Sequence, residues 1–167
     1  MTFPAPHLLP LGVCLLIAIA WDVARRRVPN LVTGAVALLG MAAQLVDKGG
    51  WSALSGLAAA ALSLLVLYRP WAARALGGGD VKMAAAVAIW VGLGSMFQYA
   101  LAVAAVGGVV GLVMYFVSGK SIRANIKANL QLAVLQQTFP SVEQRPARLR
   151  LPYGIAIAAG AAFALLT

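Results

Sequence analysis

The stretch GGGDVKMAAAVAIWVGLGS, residues 77–95, decides how this chain is read. Three glycines run into Asp80, an apolar run follows, and GLGS breaks it at the far end. The run, 81–93, is about 13 residues, and as a helix it spans roughly 20 Å. A bilayer's hydrocarbon core is about 30 Å thick. If the segment crosses a membrane, the bilayer thins locally or the helix begins below the surface, with the glycines inside. Non-helical backbone at that depth is tolerated only where it is buried in protein or lines a wet cavity. In the second case the glycines would form a wet notch at one mouth of a helical bundle, with Asp80 beside it.

The surrounding sequence supports the membrane reading. Of 167 residues, 62% are hydrophobic and 10% are charged, whereas soluble domains are nearer half apolar and a quarter charged. Apolar blocks cover 8–23, 31–46, 51–68, 81–93, 96–117 and 151–166, punctuated by turns and charge. The first block lacks a basic leader and ends in WDVARRR, so it reads as a membrane helix and not a signal peptide. The expected fold is all-α: one polytopic bundle of about six transmembrane helices over 1–167, with a short fourth helix and no separate soluble domain.

The 13 Lys and Arg outweigh 4 Asp and Glu. Arg25, Arg26, Arg27, Arg69, Arg74, Lys82, Lys120, Arg123, Lys127, Arg145, Arg148 and Arg150 fall on one side of six alternating crossings, and Lys48 alone on the other. The positive-inside rule places the rich side in the cytoplasm and both termini outside. Such clustering in the gaps between blocks argues for a lipid bilayer as partner and against nucleic acid. Ile122, Ile126 and Leu130 make an apolar stripe with basic residues off it, so a surface amphipathic helix is expected, followed by a linker back to the last block. Cys14 and His7 are the only residues of their kinds and have no ligand-spaced partners; no metal or cofactor is expected.

Glu143 lies in the polar linker and Asp47 in an exterior turn. Asp22 and Asp80 differ, because both sit at the cytoplasmic ends of apolar segments, where an ionisable group is costly and a functional candidate. Two carboxyls facing one cavity can share a proton, one drawing a proton from water while the other hydrogen-bonds a scissile carbonyl. The structural alternative pairs Asp22 with Arg25 or Arg26 and makes Asp80 a helix cap. If the pair is catalytic, the dipoles of their own helices assign Asp80, at an N-terminus, as the ionised base, and Asp22, at a C-terminus, as the proton donor.

Asp22 followed by RRRVPN resembles the first aspartate motif of the type IV prepilin peptidases. GGGDVK matches their G-x-G-D-x-K motif, with Gly77, Gly79, Asp80 and Lys82 in register, and LPYG at 151–154 resembles their late Pro-aromatic-Gly motif. The resemblance implies a membrane aspartyl endopeptidase that removes the leader from prepilins or pseudopilins on the cytoplasmic side of the bacterial inner membrane, with Asp22 and Asp80 catalytic. The compact length resembles the minimal peptidases of Flp pili and tight-adherence secretion. The cytoplasmic domain with paired cysteines of the long, bifunctional members has no counterpart in this sequence, so N-methylation is not expected.

Supporting roles fall to the other motif residues. Gly77 and Gly79 let backbone approach a substrate strand, or simply form a turn. Lys82 binds a substrate carboxylate, steadies Asp80 or anchors the chain at the interface. Pro29 and Asn30 suit a helix start, and Pro152 and Gly154 shape the cavity wall. The competing reading is a non-enzymatic membrane transporter or a pilus or secretion assembly factor, in which the aspartates are dispensable for cleavage.

Overall fold

The computed structural model describes residues 8–25, 29–72, 76–117 and 153–166. They form six helices and, among the described residues, no strand: α1 Leu8–Arg25, α2 Asn30–Lys48, α3 Gly50–Ala72, α4 Gly78–Val91, α5 Met96–Val117 and α6 Tyr153–Leu166. Each apolar block of the sequence is one helix. The expected amphipathic segment and its linker, with Pro152, lie outside the described residues.

Local chemistry sets the boundaries. Pro29 is extended, with ψ 136°, and α2 starts at the next residue; proline suits such a start because its missing N–H would have had no helical partner. Gly49, at φ 82°, ends α2, and its carbonyl accepts the N–H groups of Ser52 and Ala53, so α3 begins one residue later. α3 passes through Pro70 and ends at Ala72, four residues past the apolar block 51–68. The Leu76 N–H donates to the Pro70 carbonyl at 3.3 Å, turning the chain toward α4.

One expectation needs correcting. The glycines do not form an irregular notch: Gly78, Gly79 and Asp80 are the first turn of α4, and Gly77 is its extended N-cap. The N–H groups of Asp80 and Val81 both return to the Gly77 carbonyl, at 3.1 and 3.2 Å. Tertiary packing around α4 outweighs the helix-breaking tendency of glycine.

That packing is extensive. α4 touches α2, α3, α5 and α6, and every residue from Met83 to Trp90 is buried. On α3 the side facing inward carries Ala53, Gly56, Ala59 and Ser63 at helical spacing, while Leu54, Leu57, Leu62 and Leu65 are exposed. A Cβ on Gly56 would lie 2.6 Å from the Ile89 carbonyl oxygen, so the two helices approach backbone to backbone. Small residues inside and large apolar ones outside invert the pattern of a soluble helix, and suit helix contacts where the surrounding medium is itself apolar. α5 shows the same inversion, with Phe97, Leu101, Leu112 and Phe116 exposed. Gly50–Ala72 and Met96–Val113 are long and apolar enough to cross a membrane; the apolar parts of α1, α2 and α6 are shorter.

Buried polar groups tie the bundle around α4. The Trp90 indole Nε1–H donates to the Val36 carbonyl on α2 at 2.9 Å, and the Tyr99 hydroxyl on α5 donates to the Ala84 carbonyl at 3.3 Å. Gly56→Ala is expected to lower the thermal midpoint in detergent, since overpacking costs about 1–3 kcal/mol. Gly108→Ala, which meets nothing within 4 Å, gains the same helix propensity without the clash and leaves the midpoint unchanged or slightly raised.

Candidate active site

Three contacts gather five helix ends at one end of the bundle. The Gly154 N–H, in the first turn of α6, donates to Asp22 Oδ2 near the end of α1, at 3.4 Å. The Lys82 ammonium, in the first turns of α4, donates to Asn30 Oδ1 at the start of α2, at 3.3 Å. The Trp71 indole nitrogen, at the end of α3, lies 3.2 Å from the place a Cβ on Gly78 would occupy. Asp22, Asn30, Gly77, Gly79, Asp80, Lys82 and Gly154 therefore share that end, with Pro29 just before Asn30.

Asp22 is buried, at 8% exposure, so it is no solvated surface charge. Its partner is backbone: the first N–H groups of a helix have no acceptor within it, and Asp22 supplies one to α6 from another helix. The fit is close, because a Cβ on Gly154 would stand 3.1 Å from Asp22 Oδ2 and 3.5 Å from its Cβ. A side chain there would press on the carboxyl, which glycine leaves in place.

Asp80 is half-buried in the first turn of α4. Its carboxyl folds back over the N-cap, and Oδ2 lies 2.7 Å from the position of a Cβ on Gly77. The atom that would have to move is the end of a short side chain, so the first glycine of GGGD governs where the carboxyl rests more than whether the helix forms. Gly78, in the variable position of the motif, answers instead to the Trp71 indole. Nothing in the local sequence around Trp71 signals this contact.

The geometry also revises the dipole argument. Asp22 sits near the C-terminal end of its own helix but at the N-terminal end of α6. Both aspartates therefore face helix N-termini, and the helix dipoles do not rank them. Lys82 is placed on Asn30, linking the VPN and GGGDVK motifs directly. Among the described residues no three His, Cys, Asp or Glu side chains gather to hold a metal ion.

The model of the type IV leader peptidase family matches residues 9–114, well over half of the chain, and the chain belongs to that family. It is a protease of the leader-peptidase kind, from a membrane-associated family whose substrates are of the prepilin type. No curated protein and no solved structure gives a match. The matched segment contains Asp22 and Asp80 and stops before Gly154, so the α6 contact on Asp22 lies beyond it.

Gly77→Ala and Gly154→Ala are each expected to lower the turnover of a prepilin substrate by about tenfold or more, the scale on which misplaced catalytic groups lose rate. Thermal stability in detergent should stay close to that of the unaltered protein, because the displaced atoms belong to the aspartate side chains.

Proposed function

We propose that this protein is an aspartic endopeptidase that removes the leader of Flp-like prepilins or pseudopilins, with Asp22 and Asp80 as the catalytic pair. The single observation that carries this reading is the burial of Asp22 in an apolar bundle, at the end that also bears Asp80 on its glycine turn. An ionisable carboxyl kept in such surroundings is costly to maintain and is a functional candidate for that reason.

The chemistry needs two carboxyls and water. One carboxylate takes a proton from water as the water oxygen bonds to the scissile carbonyl carbon. The other, protonated, hydrogen-bonds the carbonyl oxygen and gives up its proton as that oxygen gains charge. The tetrahedral intermediate then breaks its C–N bond, the amine leaving with a proton from the first carboxyl, and the hydroxyl proton returns to the second. The Gly154 N–H bonds the Asp22 carboxyl, Gly77 leaves room for that of Asp80, and Lys82 with Asn30 ties the first turns of α4 and α2 together. N-methylation of the product is not part of this proposal.

The bundle is placed in the bacterial inner membrane as a multi-pass, single-domain protein with the active end in the cytoplasm. The exposed leucines and phenylalanines of α3 and α5 support a lipid-facing surface, and the one-sided distribution of Lys and Arg supports the orientation.

Two experiments bear on this. In membranes supplied with a prepilin substrate, Asp22→Asn and Asp80→Asn should each reduce leader removal by at least about a hundredfold while inserting normally; substantial cleavage by either would remove the two-aspartate mechanism. In a Cys14→Ala background, a cysteine replacing Lys48 should react with an impermeant thiol reagent added outside, and one replacing Arg123 only after the inner face is opened. The opposite pattern would invert the topology.

A further inference from the structure

We infer that Gln44, far from the aspartates in sequence and at the opposite end of α4, is a positioning residue that sets the height of α4 and so the place of Asp80; this rests on the proposal that Asp80 is catalytic. α4 is only 14 residues long, and its last turn is buried as far as Trp90. Its C-terminal carbonyls have no partner within the helix, and in apolar surroundings such groups must be satisfied from elsewhere. Gly92, buried at φ 69°, returns its N–H to Ala88, which leaves the carbonyls that follow.

Gln44 meets two of them. Its side chain is buried on α2, and Nε2 donates to the Ile89 and Trp90 carbonyls, at 3.0 Å each. The next N–H, from Leu93, donates to Ser55 Oγ on α3 at 3.0 Å. The amide spends both its hydrogens on α4 while its own Oε1 is buried and, among the described residues, accepts no hydrogen bond. An arrangement chosen for packing alone would favour an apolar side chain there. This one meets the helix end at the expense of a side-chain oxygen, which marks the helix end as the group that must be fixed.

The consequence reaches Asp80 because α4 is a stiff rod. It is sheathed by α2, α3, α5 and α6, so its ready motion is sliding along its axis, and any slide carries Asp80 with it. Asp22 is held independently, on α1 and by α6. The register between the two carboxyls therefore depends on what stops α4 from sliding; Trp90, Ser55 and Lys82 each tie it to a neighbour, and Gln44 adds a side chain that holds two of its last carbonyls at once.

The test compares Gln44→Leu, Gln44→His and Gln44→Asn in the purified full-length protein, with turnover measured per folded molecule on a prepilin substrate. Gln44→Leu keeps the volume and loses the donor; kcat should fall about tenfold or more with KM within roughly twofold, as expected for a misplaced catalytic group. Gln44→His keeps an N–H near the position of Nε2 and should retain most of kcat, whereas Gln44→Asn, one methylene shorter, should resemble Gln44→Leu. Should Gln44→Leu fail to accumulate, the contrast between His and Asn decides. A purely structural role predicts less folded protein with unchanged kcat in every variant, and that result overturns the inference. Asp80→Asn, run beside them, separates the two claims. If it still cleaves, the catalytic assignment fails; if it is inactive while Gln44→Leu keeps its kcat, only the role of Gln44 fails.

Discussion

Everything in this protein turns on a helix too short for its surroundings. α4 has 14 residues and is buried from Met83 to Trp90, so the backbone groups at the end of that buried stretch lie where leaving them unpaired is expensive. The N-terminal end is closed by a glycine turn and bears Asp80, and the C-terminal end is met by side chains of α2 and α3. The other helices can be understood as the walls this arrangement needs. α3 presents alanine, glycine and serine so that α4 can approach closely. Trp90 spans from α4 to the α2 backbone, and Tyr99 from α5 to α4. The large apolar side chains displaced from such a core face outward.

Backbone comes close to both aspartates. Asp22 accepts the Gly154 N–H, and Asp80 rests over Gly77. Glycines in the motifs therefore serve as apertures through which the main chain and a carboxyl come together. This gives a physical reason for glycine at each of these positions, which a resemblance between motifs does not provide. It also shows why Lys82 and Asn30 occur together: they join the two aspartate-bearing motifs at the turn between helices.

Much of this was legible in the sequence. The six blocks were visible because uninterrupted apolar runs and Gly, Pro or Arg punctuation are local signals, and each became a helix. Asp22 and Asp80 stood out because acids at the edge of apolar segments are rare. What remained hidden was pairwise. Gly154 lies 132 residues from Asp22, and Gln44 lies 45 from Ile89; nothing local specifies either contact. A lone glutamine inside MAAQLV was a usable sign of a buried polar role, by the same cost argument that singled out the aspartates. The glycine turn misled in the other direction, since glycine's weak helix propensity predicts irregular backbone where tertiary packing imposes a helix.

The central claim is that Asp22 and Asp80 work as a facing pair. Cross-linking tests it directly: in a Cys14→Ala background, Asp22→Cys with Asp80→Cys is treated with a short bifunctional thiol reagent, beside Asp22→Cys with Gly154→Cys as the positive control. The account predicts that both pairs join within one chain at comparable rates. A 22–80 pair that stays unlinked while the 22–154 pair reacts would show that the two aspartates share an end of the bundle without sharing a site, and would contradict it.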